Sequence, residues 1–366
     1  MTIAALAVAT SCGKSDTPTA ASGPVDVRLV VSSGDNTRVG SDATDNNIHQ
    51  LRVYAFNADG EKVGYAEADS LKGQNYIPIT LSEGGDINFY VIANDNFGPK
   101  PVTDWTSLSK TDLESLKFDL SGFTGWSATD DFVSPMSNNR YDEFGNELKN
   151  DSGTAAYKND YGTAVNVTKP TVIPVTVQHA LGRLRLMLNK DASAKDVTIK
   201  VTKAVVYHRP DAFKLYFAEN EKNQIDDIIT FTNNAESPLK EQLNVDTKPL
   251  VDKPDDGYTT IARTYLAPNQ YGSSDPDTYT AQKTDGTTSN GLNKAYCLKL
   301  TVEFAYTTGT SETKNYTEDY TVYLPRVPRN TSIDVQGTFK GTVVKPEFNV
   351  MTEAWEEKEM NIPAFE

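Results

Sequence analysis

Cysteine and histidine are almost missing from this chain, at two and three residues in 366. If Cys12 is processed, only Cys297 remains as a thiol, so no intrachain disulfide is expected and the fold must rest on core burial and strand pairing. Cys297 lies in an apolar alternating stretch and reads as a small core residue. His49, His179 and His208 are scattered, and neither His-x-x-x-His nor Cys-x-x-Cys occurs, which removes the usual zinc ligand sets. A G-x-S-x-G elbow, a P-loop, an H-E-x-x-H helix and an EF-hand loop are missing as well. No cofactor, metal or catalytic set is therefore expected, and the chain does not read as an enzyme. Basic residues are in deficit, 35 Lys and Arg against 50 Asp and Glu, for a net charge of −15. That sign opposes a phosphate backbone and excludes nucleic acid as a partner. It suits a surface facing the outside medium. Long apolar runs are absent too: the N-terminal one, Ile3 to Ser11, falls far short of the roughly 20 residues that span a bilayer.

That run gains its meaning from the residue that ends it. Cys12 follows small residues at the edge of an apolar segment, the pattern of a bacterial lipoprotein signal. In such a signal the cysteine becomes the first mature residue and carries acyl chains. Residues 1–11 are then a signal remnant, and Cys12 is the lipidation site of an exported precursor held at the cell outer membrane. At about 0.8 kcal/mol per buried CH₂, more than one chain gives a stable anchor. The competing reading is a free cysteine in a frayed terminus. The basic n-region is missing, which points to a start upstream of Met1. Residues 12–24, polar and proline-containing after the cysteine, read as a flexible spacer.

From Val25 the pattern turns to period two. Val25, Val27, Leu29 and Val31 alternate with Asp26, Arg28, Val30 and Ser32, as a half-buried strand requires. A turn-rich stretch follows to Asn47. Leu51–Phe56 and Glu61–Tyr65 make a hairpin across Asn57-Ala58-Asp59-Gly60. Tyr76–Leu81 and Ile87–Ala93 are further strands, the latter apolar on both faces and so central. Thr111-Asp112-Leu113-Glu114 fits a capping box that opens a short helix through Leu116. Residues 124–164, 233–260 and 269–293 read as polar loops. In the second half, strands are expected at Thr171–Val177, Leu184–Leu188 and Val197–Val201, with a short one at Ile228–Phe231. Leu184, Leu186 and Leu188 should point inward, with Arg183 and Arg185 outward. Further strands are centred on Leu298–Tyr306, Tyr320–Leu324 and Ile333–Phe339. Many short strands and few helices imply an all-β chain of two tandem β-sandwiches, at residues 25–175 and 176–366.

Other residue clusters carry little. Glu356, Glu357 and Glu359 read as a solvated face. The oxygen-rich Asn94-Asp95-Asn96 could take Ca²⁺, but turn chemistry accounts for it. Trp105 and Trp126 could stack on sugars, although burial is the commoner fate of large aromatics.

The order of several segments resembles a known family. LRVYAFNADGEKVGY at 51–65, INFYVIAN at 87–94, FVSPMSN at 132–138 and VTVQHALGRLRLML at 175–188 occur in sequence. YLAPN at 265–269, VPRNT at 327–331 and VMTEAWEEKEMNIPAF at 350–365 follow. Together with the lipoprotein-like start, they resemble the fimbrillins, the subunits of the type V pili of the Bacteroidales. The resemblance implies two transthyretin-like β-sandwich domains. It also implies export as a lipoprotein and a cut by an arginine-specific protease downstream of the first strand. The strand thereby lost leaves a groove, which a strand of another subunit fills, giving a head-to-tail polymer.

On that resemblance the cut falls after Arg38, in the polar turn Asp35-Asn36-Thr37-Arg38-Val39, where proteases act. Arg28 competes but lies inside the strand. The donor would come from 343–366, with Met360, Ile362, Ala364 and Phe365 as groove-filling side chains. Alternatively, that segment completes its own domain. The implied function is a structural pilin, a stalk subunit of a cell-surface fimbrium that partners copies of itself and related subunits and supports adhesion. A fimbrial tip or anchor subunit, or a lipid-anchored glycan-binding protein, are the alternatives.

Overall fold

The computed structural model describes residues 23–33, 48–69, 76–95, 104–120, 134–139, 164–210, 212–216, 240–254, 257–269, 295–307, 313–340 and 347–354. The N-terminal half comprises β1 (Val25–Ser33), β2 (Leu51–Phe56), β3 (Lys62–Ala68), β4 (Tyr76–Leu81) and β5 (Gly85–Ala93). Helix α1 (Lys110–Ser115), β6 (Lys117–Asp119), β7 (Met136–Ser137), β8 (Val165–Val167) and β9 (Thr171–His179) follow. The C-terminal half comprises β10 (Gly182–Lys190), β11 (Val197–Tyr207), β12 (Ala212–Lys214), β13 (Lys240–Gln242) and β14 (Thr260–Leu266). It ends with β15 (Cys297–Thr307), β16 (Thr313–Tyr323), β17 (Thr331–Phe339) and β18 (Glu347–Ala354). The all-β architecture expected from the alternation is present.

In the first half the strands follow the order β3-β2-β5-β7-β9-β1-β4, with β8 beside β5. The sheet wraps around its own core, because β4 returns to β3, where the Ser82 N–H donates to the Val63 carbonyl at 2.8 Å. Val27, Leu29, Val53, Phe89 and Val175 fill the interior. The hairpin turn falls where the sequence puts it. The Gly60 N–H donates to the Asn57 carbonyl at 3.0 Å, and a φ of 81° explains why glycine stands there.

In the second half, a β14-β10-β17-β18 sheet faces a β13-β11-β15-β16 sheet. Leu184, Leu186, Leu188, Phe304 and Val335 form the core between them. Buried Cys297 joins the second sheet as a small core-type residue.

A third apolar cluster joins the halves. Tyr54, Phe56, Tyr90 and Ile92, on the second face of β2 and β5, pack with Trp105, Leu113 and Phe118. Phe213, Leu215, Tyr216 and Tyr265 enter the same cluster from the C-terminal half. Strands β6 and β12 pair antiparallel across the junction, and the Phe118 and Phe213 rings stack at 5.0 Å. The apolar second face of INFYVIA is thus explained: β5 is covered on both sides.

Four expectations are corrected. The helix starts at Lys110, capped by Ser109 rather than Thr111. The Ser109 N–H donates to Asp112 at 2.9 Å and the Asp112 N–H to the Ser109 hydroxyl at 3.2 Å, while Glu114 accepts from the Tyr90 hydroxyl at 2.6 Å. Arg183, expected outward, is buried, because the junction covers the outer face of β10 at its start. Stretches expected as loops hold β7 and β13, too short to show a period, and the start of β14. Finally, β9 runs to His179 within the N-terminal sheet, past the expected domain boundary at 175. The expected strand Ile228–Phe231 lies outside the described residues.

Candidate functional site: the slot of the first strand

Strand β1 is interior to its layer, with a neighbour on each side. It runs antiparallel to β4, from Val25 opposite Leu81 to Val30 opposite Tyr76. On the other side it runs parallel to β9, from Val27 opposite Thr171 to Ser33 opposite Val177. The period-two pattern decides which face is which. Val25, Val27, Leu29 and Val31 are all buried, while Asp26 and Arg28 are exposed. Asp26 accepts from the Thr80 hydroxyl at 2.7 Å, and the Arg28 guanidinium lies 4.7 Å from the centre of the Tyr76 ring. Four buried aliphatic side chains correspond to roughly 6–12 kcal/mol of gross hydrophobic stabilisation, comparable to the net stability of a whole domain. A vacated β1 position would bare the donors and acceptors of β4 and β9 together, and buried backbone groups of that kind demand partners.

Arg28 fits a strand better than a cleavage site. Its backbone stands between Pro78 and Val172 and cannot enter a protease as an extended substrate. Arg38 and Cys12 lie outside the described residues, as do Met360, Ile362, Ala364 and Phe365. Of the donor candidate 343–366, residues Glu347–Ala354 form β18, which pairs with β17 over eight positions and packs Phe348 and Val350 on the C-terminal core.

Next to the slot, the far end of β9 enters a buried polar junction that the pattern of apolar residues did not reveal. Arg329, from the connection before β17, donates to the His179 carbonyl at 3.3 Å, the Leu215 carbonyl at 2.8 Å and the Ser137 hydroxyl at 3.0 Å. The Ser137 hydroxyl donates to the Leu215 carbonyl at 2.9 Å. The Tyr216 hydroxyl donates to the Val91 carbonyl at 2.9 Å, and the Asn138 side chain brackets β5 through the Val91 N–H and the Phe89 carbonyl, both at 2.8 Å. Burial first, then the nearby charges of Arg183 and Arg329, push the His179 imidazole down to about 3, so it is neutral at pH 7. Gly182 is required by close approach: a Cβ there would lie 2.6 Å from the Val327 side chain. The signal for this junction was present in the quoted segments. FVSPMSN, VTVQHALGRLRLML, YLAPN and VPRNT supply Ser137, Asn138, His179, Gly182 and Arg329, though not Leu215 and Tyr216, and the last two segments are joined by paired backbone bonds between Asn269 and Val327 at 2.8 and 2.9 Å.

The remaining candidates have structural partners. The Asn94 side chain accepts from the His49 N–H at 2.8 Å, and Asp95 accepts from Arg52 Nε at 2.6 Å; Asn96 lies outside the described residues. Trp105 is buried, with Arg52 over its ring at 5.2 Å and its carbonyl bonded by the Tyr54 hydroxyl at 2.8 Å, so it offers no sugar platform. Trp126 and the three glutamates lie outside the described residues.

Residues 24–179 match a family profile described as "Major fimbrial subunit protein (FimA)". No curated protein matches. Among solved structures, a candidate cell adhesion protein from Bacteroides eggerthii superposes with a TM-score of 0.50 at 15% identity, over 92% of this chain and 97% of that one. Another from Parabacteroides distasonis gives 0.50 at 14% identity, over 93% and 100%. A fimbrilin from Porphyromonas gingivalis gives 0.49 at 12% identity, over 90% and 96%. At such identities the first two likenesses speak for the fold alone, and they do so along nearly the whole chain.

Proposed function

For a chain that carries a domain of the major fimbrial subunit (FimA) family in residues 24–179, we propose a structural pilin that polymerises on the cell surface by strand exchange and supports adhesion. The observation that carries this reading is β1 itself, an interior strand whose removal strips two neighbours at once. In this reading the precursor reaches the outer membrane as a lipoprotein acylated at Cys12. An arginine-specific protease then cuts after Arg38, in the segment between β1 and β2. Strand β1 leaves, and a strand from residues 343–366 of another subunit, with Met360, Ile362, Ala364 and Phe365 inward, takes its place. Each addition leaves the next slot open, so the contact is head-to-tail and does not close. The stalk is the position in the fimbrium that requires both a slot and a donor.

The test is mild digestion of the purified chain with an arginine-specific protease, read by intact mass and electron microscopy. A single cut after Arg38 with ladders or filaments is expected, and Arg38→Ala should abolish both. A cut product that stays monomeric, or resistance at Arg38 in the parent chain, refutes the stalk reading.

A further inference from the structure

Strand β9 has two kinds of neighbour. Its ladder partners among the described residues are β1 over Thr171–Val177 and β7 over Gln178–His179. When β1 departs, the wall of the slot keeps strand pairing only at its last two residues. That end is where Arg329 binds.

The Arg329 side chain is 2% exposed, and it comes from the C-terminal domain. A guanidinium buried to this degree is tolerable only when its donors meet acceptors of fixed direction. Here Nε meets the His179 carbonyl of β9, Nη2 the Ser137 hydroxyl of β7 and Nη1 the Leu215 carbonyl. One planar fork therefore ties the ends of two N-terminal strands to each other and to the C-terminal half. Its own loop is held on both sides: Val327 bonds Asn269 in both directions, and the Asn330 N–H donates to the Leu181 carbonyl at 3.0 Å. Asn330 takes a φ of 52°, a left-handed conformation that asparagine tolerates. The fork is thus set by the fold before any strand arrives.

We propose that Arg329 is the positioning residue of the strand-acceptor slot, holding β9 in register from the C-terminal domain while the slot is empty. The inference rests on the strand-exchange reading. It makes acceptance of a strand a property of both domains, although the slot lies in the first. The occupant it prepares for is an extended segment with aliphatic side chains at every second position, like β1.

The experiment uses the full chain, cut between β1 and β2 and freed of β1, with a labelled synthetic peptide of residues 25–33 as probe. Peptide affinity is read by fluorescence anisotropy, and amide exchange is read over 171–177. Arg329→Gln should weaken peptide binding about tenfold, the scale of a lost charged hydrogen bond, and speed exchange in β9. Ser137→Ala should weaken it about threefold, and Arg329→Lys should fall between the two. Arg185→Gln, which breaks an ion pair within the C-terminal sheet, should leave affinity unchanged. If the parent chain does not take up the peptide, the strand-exchange reading fails. If the parent binds and Arg329→Gln and Ser137→Ala bind equally well, Arg329 has no positioning role. Equal weakening by Arg185→Gln overturns it too, since the effect is then one of global stability. Should Arg329→Gln not fold, Ser137→Ala and Arg329→Lys decide by the same criteria.

Discussion

Strands β1 and β10 occupy the same place in the two halves of the molecule. Each opens its half, and each lies between one antiparallel and one parallel neighbour: β4 and β9 for β1, β14 and β17 for β10. Each buries a row of aliphatic side chains, Val25, Val27, Leu29 and Val31 in one and Leu184, Leu186 and Leu188 in the other. They differ in their outer faces and in their joints. The outer face of β10 carries buried Arg183 and an Arg185–Asp334 pair bonded twice, at 2.7 and 2.6 Å. The outer face of β1 carries exposed Asp26 and Arg28. Strand β10 is joined to β9 by Ala180 and Leu181, both fully buried, whereas β1 and β2 are separated by the seventeen residues 34–50 that include Arg38. Equal pairing therefore does not mean equal permanence. On the strand-exchange proposal, a strand whose outer face makes only exposed contacts becomes removable once its joint is cut, and one held on both faces with a buried joint does not.

The largest expected effect separates the two strands by history rather than by position. Leu29→Ala and Leu186→Ala each truncate a fully buried leucine and should each cost about 2–5 kcal/mol in the uncut chain. After cleavage and loss of β1, Leu186→Ala should keep its cost relative to the cut parent, and the Leu29→Ala chain should become identical to it. Urea unfolding of cut and uncut forms measures this. A Leu29 cost that persists after the cut, with β1 still retained by mass, would undo the comparison.

The joint between β9 and β10 should itself be sensitive to acid. His179 is depressed from 6.5 to about 3 by burial and by Arg183 and Arg329, so between those values the unfolded chain binds a proton that the folded chain refuses. Stability must then fall as the pH drops below 6.5, by about 2 kcal/mol between pH 7 and pH 5. His179→Gln should remove that part of the slope while leaving the carboxylate part. Parallel slopes in the two chains from pH 7 to pH 5 would show that His179 protonates freely in the fold.

How much of this was legible depended on what each residue faces. Strand β4 was readable to the residue because its alternation is strict, and β2, buried on both faces, because it ends at the turn residues Asn57-Ala58-Asp59-Gly60. Strand β14 was not: Ile261 and Ala262, then Tyr265 and Leu266, are buried as adjacent pairs, since two cores receive the strand and the period disappears. Strands of two or three residues, such as β7 and β13, have no period to show. Arg329 was invisible for a different reason. An arginine between two prolines and an asparagine reads as an exposed loop residue, and only tertiary acceptors reveal otherwise. Its surroundings surfaced only as the segments, quoted for their resemblance, in which Ser137, His179 and Arg329 occur. The β1 pattern was plain from sequence, whereas its parallel pairing with a strand some 140 residues away is a long-range fact that local spacing cannot carry.

The smallest expected effect tests the outer faces directly. Asp334→Asn leaves the Arg185 guanidinium, 17% exposed, without its carboxylate, and should cost about 1.5 kcal/mol, below the 3–5 of a fully buried pair because water still reaches it. Asp26→Asn keeps an acceptor for Thr80 at an exposed position and should stay within about 0.5 kcal/mol. The ratio matters more than either value. If thermal unfolding gives the two substitutions equal costs, the outer faces are equivalent, and the permanence of β10 must come from its buried joint alone. If the ratio holds, an added ion pair on the outer face of β1 should slow its departure after cleavage, since stabilisation that must be lost before the strand leaves acts on the rate of leaving.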